Sequence, residues 1–263
     1  MARRHLEGLL AHARASAAAL RPLRRELERA AAAAPPAPEF AGALAGPAVG
    51  VIAELKRRSP SAGAINPSMA LDLRARLYAE AGAAAISVLT DEPSFGGSLD
   101  DLELVASSVS VPVLRKDFLL AEEQLLEARA AGAAAVLLIA RALPGPALER
   151  LVRFAGDTEL DVLVEVHDAA ELDRALDSGA RIIGVNCRDL DTFDLHRERA
   201  GQLLSAVPAD RTAVAESGIR DRDDVVMAAQ LGADAVLVGT ALSASTDPAQ
   251  LAGAMARVPR RGR

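Results

Sequence analysis

The chain has 263 residues, 51% hydrophobic and 25% charged, a balance that excludes a disordered chain and leaves room for one large or two small domains. Its 36 acidic and 30 basic residues give a net charge of −6, and aromatics make up 2% with no tryptophan, so neither charge nor stacking surface favours a nucleic-acid binder. A single cysteine, Cys187, excludes an internal disulfide framework; the four histidines show no zinc spacing, and no apolar run approaches the ~18 residues of a membrane span.

Residues 2–34 read as helix: alanine-rich, with Leu6, Leu9, Leu10, Leu20, Leu23 and Leu27 at helical spacing. Pro22 is expected to break or kink this segment, and the run Pro35-Pro36-Ala37-Pro38 to end it. Arginine and glutamate are mixed through it, unlike a signal or transit peptide, so a cytoplasmic protein is expected. Residues 1–48 are therefore expected to be a helical extension and linker within one domain spanning 1–263.

Eight short apolar runs follow, at 51–56, 85–90, 111–116, 135–139, 161–166, 181–186, 212–216 and 235–238. Their starts lie about 20 to 34 residues apart, enough for one crossover helix each. Helix-like segments fill the intervals at 69–81, 99–107, 121–131, 147–155, 169–178, 197–206, 221–231 and 248–257. Gly-Ala pairs close four of them, at Gly82, Gly132, Gly179 and Gly232, as suits a helix C-terminus. Eight strand–helix units predict a closed (β/α)8 barrel. A doubly wound open sheet is the alternative, but the first strand runs into Lys56-Arg57-Arg58-Ser59-Pro60-Ser61 rather than a glycine-rich dinucleotide turn.

The runs end in polar residues. Run one carries Glu54 and Lys56, which alternation puts on one face; run three ends in Lys116-Asp117, run five carries Glu165, run six ends at Asn186 and run seven at Glu216-Ser217. In a barrel these groups converge on the C-terminal rim, where active sites are built. A lone lysine at a strand end is ordinarily solvated and a lone buried glutamate an ion-pair partner, but five strands delivering such groups to one rim points to chemistry. Two lysines and three glutamates supply acids and bases without metal or thiol. A lysine beside another cation is expected to have a lowered pKa, and a glutamate in a dry pocket a raised one. Ser217-Gly218 after run seven and Gly239-Thr240 after run eight fit the phosphate cup of such barrels. Cys187 reads as packed rather than reactive, and His167-Asp168 as a helix start capped by Asp168.

These residues carry a family resemblance over nearly the whole chain. Ile52-Ala53-Glu54-Leu55-Lys56-Arg57-Arg58-Ser59-Pro60-Ser61 resembles the signature first strand and loop of the indole-3-glycerol phosphate synthases. Further blocks agree: Ser87-Val88-Leu89-Thr90-Asp91-Glu92, Phe95-Gly96-Gly97-Ser98, Leu114-Arg115-Lys116-Asp117-Phe118, Leu163-Val164-Glu165-Val166-His167, Ile183-Gly184-Val185-Asn186 and Ala215-Glu216-Ser217-Gly218-Ile219. The resemblance implies ring closure of 1-(2-carboxyphenylamino)-1-deoxyribulose 5-phosphate with loss of carbon dioxide and water. It implies no cofactor and no metal, a small phosphorylated substrate, and neither nucleic acid nor membrane as partner; a monomer is expected.

By the same resemblance Lys116 is the general acid of ring closure and Glu165 the acid–base partner in dehydration. Lys56 pairs with the substrate carboxylate, Glu54 tunes the lysines, and Asn186 and Glu216 hold the sugar. Ser217, Gly218, Gly239 and Thr240 cradle the phosphate, Ser59 and Pro60 adjoin in the loop, and Phe95, Phe118, Leu137 and Leu237 wall the aromatic ring. Two departures touch no proposed catalytic group: Cys187 stands where asparagine is common, and Ala121-Glu122-Glu123-Gln124 replaces a more usual helix start. A related phosphosugar isomerase would place a cysteine on the first strand, where this chain has Lys56; a non-catalytic binding barrel would have lost its strand-end polar groups.

Overall fold

The computed structural model describes residues 4–59, 63–64 and 69–262. The apolar runs form eight parallel strands: β1 (Gly50–Leu55), β2 (Ala85–Leu89), β3 (Val113–Lys116), β4 (Ala135–Ile139), β5 (Asp161–Val166), β6 (Ile182–Asn186), β7 (Thr212–Glu216) and β8 (Ala235–Val238). Each pairs with its neighbours in sequence, and β8 pairs with β1 to close the barrel. β3 begins two residues later than expected, at Val113, because Pro112 has no N–H to give the ladder.

Both faces of these strands are buried, which is why they read as near-continuous apolar runs. Ile52, Leu114, Leu137, Leu163, Val214 and Leu237 fill the inside of the barrel, while Val51, Val88, Val136, Val164, Ile183 and Val236 face the helices. A helix follows each strand, from Leu71–Glu80 to Pro248–Ala256. The expected glycines end four of them in the left-handed region, at φ 101 for Gly82, 84 for Gly132, 82 for Gly179 and 98 for Gly232.

Ahead of the barrel, helix α1 (Arg4–Leu20) passes through a 3-10 turn at Arg21–Leu23, where Pro22 sits, into α2 (Arg24–Ala33). Leu6, Leu10 and Ala13 of α1 join the cluster that contains the barrel interior. Arg24 of α2 bonds Glu122 and Glu123 on the helix after β3, at 2.8 and 3.0 Å. The short α3 (Phe40–Ala43), unforeseen in the sequence, closes the N-terminal end of the barrel: Phe40 and Leu44 are fully buried, and the Ala41 N–H donates to Asp161 at the start of β5. No described helix is long and apolar enough to cross a membrane.

Candidate active site

The polar residues expected at the strand ends meet in the barrel mouth. Alternation puts Glu54 and Lys56 on the inner face of the first strand and its exit, Lys116 at the end of β3, Glu165 inside β5 and Glu216 at the end of β7. Lys56 Nζ donates to Glu54 Oε1 at 2.7 Å and to Thr240 Oγ1 at 3.3 Å. Lys116 Nζ stands 3.9 Å from Glu54 Oε2 and 3.9 Å from Glu165 Oε2. One ammonium thus sits between two carboxylates contributed by strands on different sides of the barrel.

The protonation pattern departs from expectation in one place. Burial disfavours the charged Lys116, but the charges of Glu165, Glu54 and Glu216 outweigh it and raise the lysine above its ordinary value. A neighbouring cation would lower a lysine, but Lys116 faces three carboxyl groups instead. Glu54 is also opposed by burial, yet Lys56 and Lys116 hold its carboxyl below the usual range. Glu216 is the raised glutamate: burial, reinforced by the Glu165 charge and only partly offset by Lys116, lifts it well above the usual carboxyl range. A protonated Glu216 is a hydrogen-bond donor where an ionised one would accept only.

Two glycines make room for these groups. A Cβ on Gly184, in β6, would overlap Glu216 Oε1 and come within 3.2 Å of Leu163 Cδ1. A Cβ on Gly239, after β8, would overlap Glu54 Oε1 and lie 2.9 Å from Lys56 Nζ. Gly239 therefore borders the Glu54–Lys56 pair as well as the expected phosphate loop. On that loop Ser217 has φ 64 and Gly218 φ 72; the left-handed serine costs on the order of 1 kcal/mol and is held by its surroundings. Thr240 opens the short helix Thr240–Ala244.

The four expected wall residues belong to one cluster: Phe118, Leu137 and Leu237 are buried in it and Phe95 packs against it. Asn186 is buried at the end of β6 beside Glu216 in register, and its Oδ1 accepts from the Arg188 N–H at 3.0 Å. Ser59 lies in a two-residue strand, Arg58–Ser59, paired antiparallel with Gly63–Ala64. Pro60 lies outside the described residues, as does Ser61 of the signature loop. Cys187 is buried, and burial pushes its thiol up, as a packed cysteine requires.

His167 is the residue that the sequence reading passed over. Asp168 does cap the following helix, accepting from the Glu171 N–H at 2.9 Å. The His167 side chain, however, is fully buried behind the mouth, with Nε2 3.4 Å from Glu165 Oε1 and Nδ1 3.0 Å from Glu171 Oε2. The signal was present in the spacing: residues two apart on a strand share a face, so Glu165 and His167 point the same way.

Buried acids and ammonium groups converging on the C-terminal ends of parallel strands are the layout of a (β/α)8-barrel enzyme. Comparison with known proteins narrows the class. A family model described as indole-3-glycerol phosphate synthase matches residues 6–255. The chain is 46% identical over 245 residues to the indole-3-glycerol phosphate synthase of Mycobacterium ulcerans, covering 92% of this chain and 90% of the relative. It is 51% identical over 207 residues to that of a Parafrankia species, covering 79% and 77%. The chain belongs to the indole-3-glycerol phosphate synthase family. Among solved structures it resembles the thiamine phosphate pyrophosphorylase of Pyrococcus furiosus, with TM-score 0.60, 18% identity and coverage of 79% and 93%. It also resembles 3-hexulose-6-phosphate synthase of Salmonella typhimurium, with TM-score 0.60, 16% identity and coverage of 80% and 97%. At those identities the likeness is one of fold.

Proposed function

We propose that the barrel mouth closes the ring of 1-(2-carboxyphenylamino)-1-deoxyribulose 5-phosphate, releasing carbon dioxide and water to give indole-3-glycerol phosphate, as a carboxy-lyase of tryptophan biosynthesis. The observation that carries the reading is the Lys116 ammonium, raised in pKa and set between Glu54 and Glu165. It is a charged donor held where a ketone oxygen can take its proton. As the ring carbon bearing the carboxylate attacks the ketone carbon, Lys116 protonates the oxygen, and loss of carbon dioxide restores the aromatic ring. Dehydration then requires one group to deliver a proton to the departing hydroxyl and one to remove a proton; Glu165 serves there, with Lys116 opposite it.

The remaining roles follow from position. Phe95, Phe118, Leu137 and Leu237 offer an apolar slot for the flat ring. Glu216 and Asn186 hold sugar oxygens. Ser217 and Gly218, both at positive φ, offer backbone N–H groups at the strand end, and Gly239-Thr240 close the proposed phosphate cup. Lys56 holds a substrate anion; its bond to Thr240 sets its charge beside that cup as well as beside Glu54.

The test is incubation of the purified protein with the carboxyphenylamino substrate while indole fluorescence and carbon dioxide release are followed. Both signals in equal amounts are expected. No indole product, with turnover instead of a phosphosugar isomerase substrate, would overturn the reading.

A further inference from the structure

Glu165 has two oxygens with different surroundings. Oε2 faces Lys116 and the barrel mouth, whereas Oε1 is turned into the interior, where it has no hydrogen-bond partner and lies 3.4 Å from His167 Nε2. His167 Nε2 is likewise buried and otherwise unpartnered. Two buried polar atoms 3.4 Å apart, neither of them hydrogen-bonded, are costly unless a hydrogen comes to lie between them.

The other side of the ring decides where that hydrogen comes from. Glu171 Oε2 accepts from the His167 backbone N–H at 2.8 Å and lies 3.0 Å from Nδ1. Burial works against its ionisation, but hydrogen bonds from His167 and Arg141 outweigh it and hold the carboxyl at about 2. An ionised carboxylate only accepts, so Nδ1 carries a hydrogen. Nε2 of a neutral ring is then a lone pair facing Oε1, and the pair needs one proton, on either atom, to bond.

We propose that His167 is a positioning residue that shares one buried proton with Glu165, making Glu165–His167–Glu171 a relay behind the reacting carboxyl. The proposal rests on the acid–base role given to Glu165 above. With the shared proton resting on Nε2, Glu165 keeps the charge that Lys116 faces, and when Oε2 takes a proton from the substrate the Nε2–H stays bonded to Oε1. The products are a carboxyl protonated on Oε2 and an imidazolium, with one proton gained in all and no electrons transferred. Glu171 balances the imidazolium charge, and reversal of the same step returns the proton to the mouth.

The surrounding charges suit this. From its own strand His167 faces Glu165, and from the following helix it faces Glu171. Behind Glu171 stands Arg141, from the turn after β4, at 2.8 Å from Oε1 and 3.6 Å from Asp189 Oδ2 in the loop after β6. Beyond Glu165 lie Lys116 and Glu216, whose carboxyl burial raises above the usual range. Arg141 and Asp189 fix Glu171, Glu171 fixes the ring, and the ring fixes the inner oxygen of Glu165.

The experiment is a double-mutant cycle of His167→Gln and Glu165→Gln, read by single-turnover kinetics and by the pH profile of kcat. Glutamine at 167 can donate to Oε1 but cannot exchange the proton. His167→Gln in the parent is expected to lower kcat roughly 10- to 100-fold, to leave KM within about threefold, and to displace a limb of the profile. In the Glu165→Gln background it should cost less than about threefold, since its effect passes through Glu165. Equal losses in both backgrounds, or a loss in KM and Tm with the pH profile unmoved, would overturn the proposal. A Glu165→Gln variant that turns over like the parent would overturn the reading of Glu165 itself, a distinct failure. Nitrogen-15 NMR of histidine-labelled parent protein tests the geometry without the His167 variant. The ring that responds to Glu165→Gln should carry hydrogen on Nδ1 from pH 5 to 9; an unprotonated Nδ1 would contradict the relay.

Discussion

Gly184→Ala adds one methyl group and no charge, yet it strikes at the polar centre of the site. The added carbon would overlap Glu216 Oε1 and crowd Leu163, and Gly184 sits between strands on both sides. Backbone retreat is blocked by two ladders, so the carboxyl must move by at least ~1 Å to reach a tolerable contact, a displacement that can cost ~10²-fold when the moved group positions substrate. Overpacking a buried site of this kind costs about 1–3 kcal/mol. For a chain of this size that lowers Tm by roughly 2–12 °C. The assay is steady-state turnover with the fluorescent indole product, alongside a thermal melt. Turnover falling about a hundredfold in a folded protein is expected. Unchanged kcat and KM with a lowered Tm would show that Glu216 can move freely and refute its positioning role.

Lys116→Ala should lower kcat by about 10²–10⁴-fold with substrate binding largely kept; single-turnover rates near the parent's would remove it as the acid. Gly239→Val should disrupt the Glu54–Lys56 pair and weaken phosphate-bearing ligands, and calorimetry on the parent should show a clear preference for phosphorylated over dephosphorylated product; equal affinity would reject the cup. Glu216→Gln tests the buried proton: the native state holds it while the unfolded chain loses it near 4.5. The stability it gives is complete below that pH and declines as pH rises toward the raised native value. The glutamine variant should therefore show a flatter urea-midpoint profile above pH 4.5, and a profile parallel to the parent's would contradict the raised carboxyl.

The barrel was legible because each strand is buried on both faces and four of the helices end in a glycine, so residues such as Val164 and Gly132 announce their elements locally. The site was legible through alternation: Glu54 with Lys56, and Glu165 between Val164 and Val166, have only one way to point. What the sequence lacked was the identity of neighbours across the barrel. Lys116 faces carboxyls from three other strands, a fact of closure that no spacing encodes, and so the direction of its shift is not readable from the sequence. Phe40–Ala43 is too short for any period to show, and the hairpin strand Arg58–Ser59 is two residues long. His167 was hidden by a competing reading that is itself correct, since Asp168 caps the helix while His167 packs behind Glu165.

The account turns on proton transfer at Glu165, and Glu165→Gln isolates it: the side chain keeps its size and loses only the ability to exchange a proton. Single-turnover kinetics with the carboxyphenylamino substrate, on a variant shown by crystallography to keep the barrel unchanged, is the direct measurement. The account predicts ligand affinity within about threefold of the parent and a loss of at least ~10² in the rate of product formation. Product formation within about threefold of the parent would assign Glu165 to structure and contradict the mechanism.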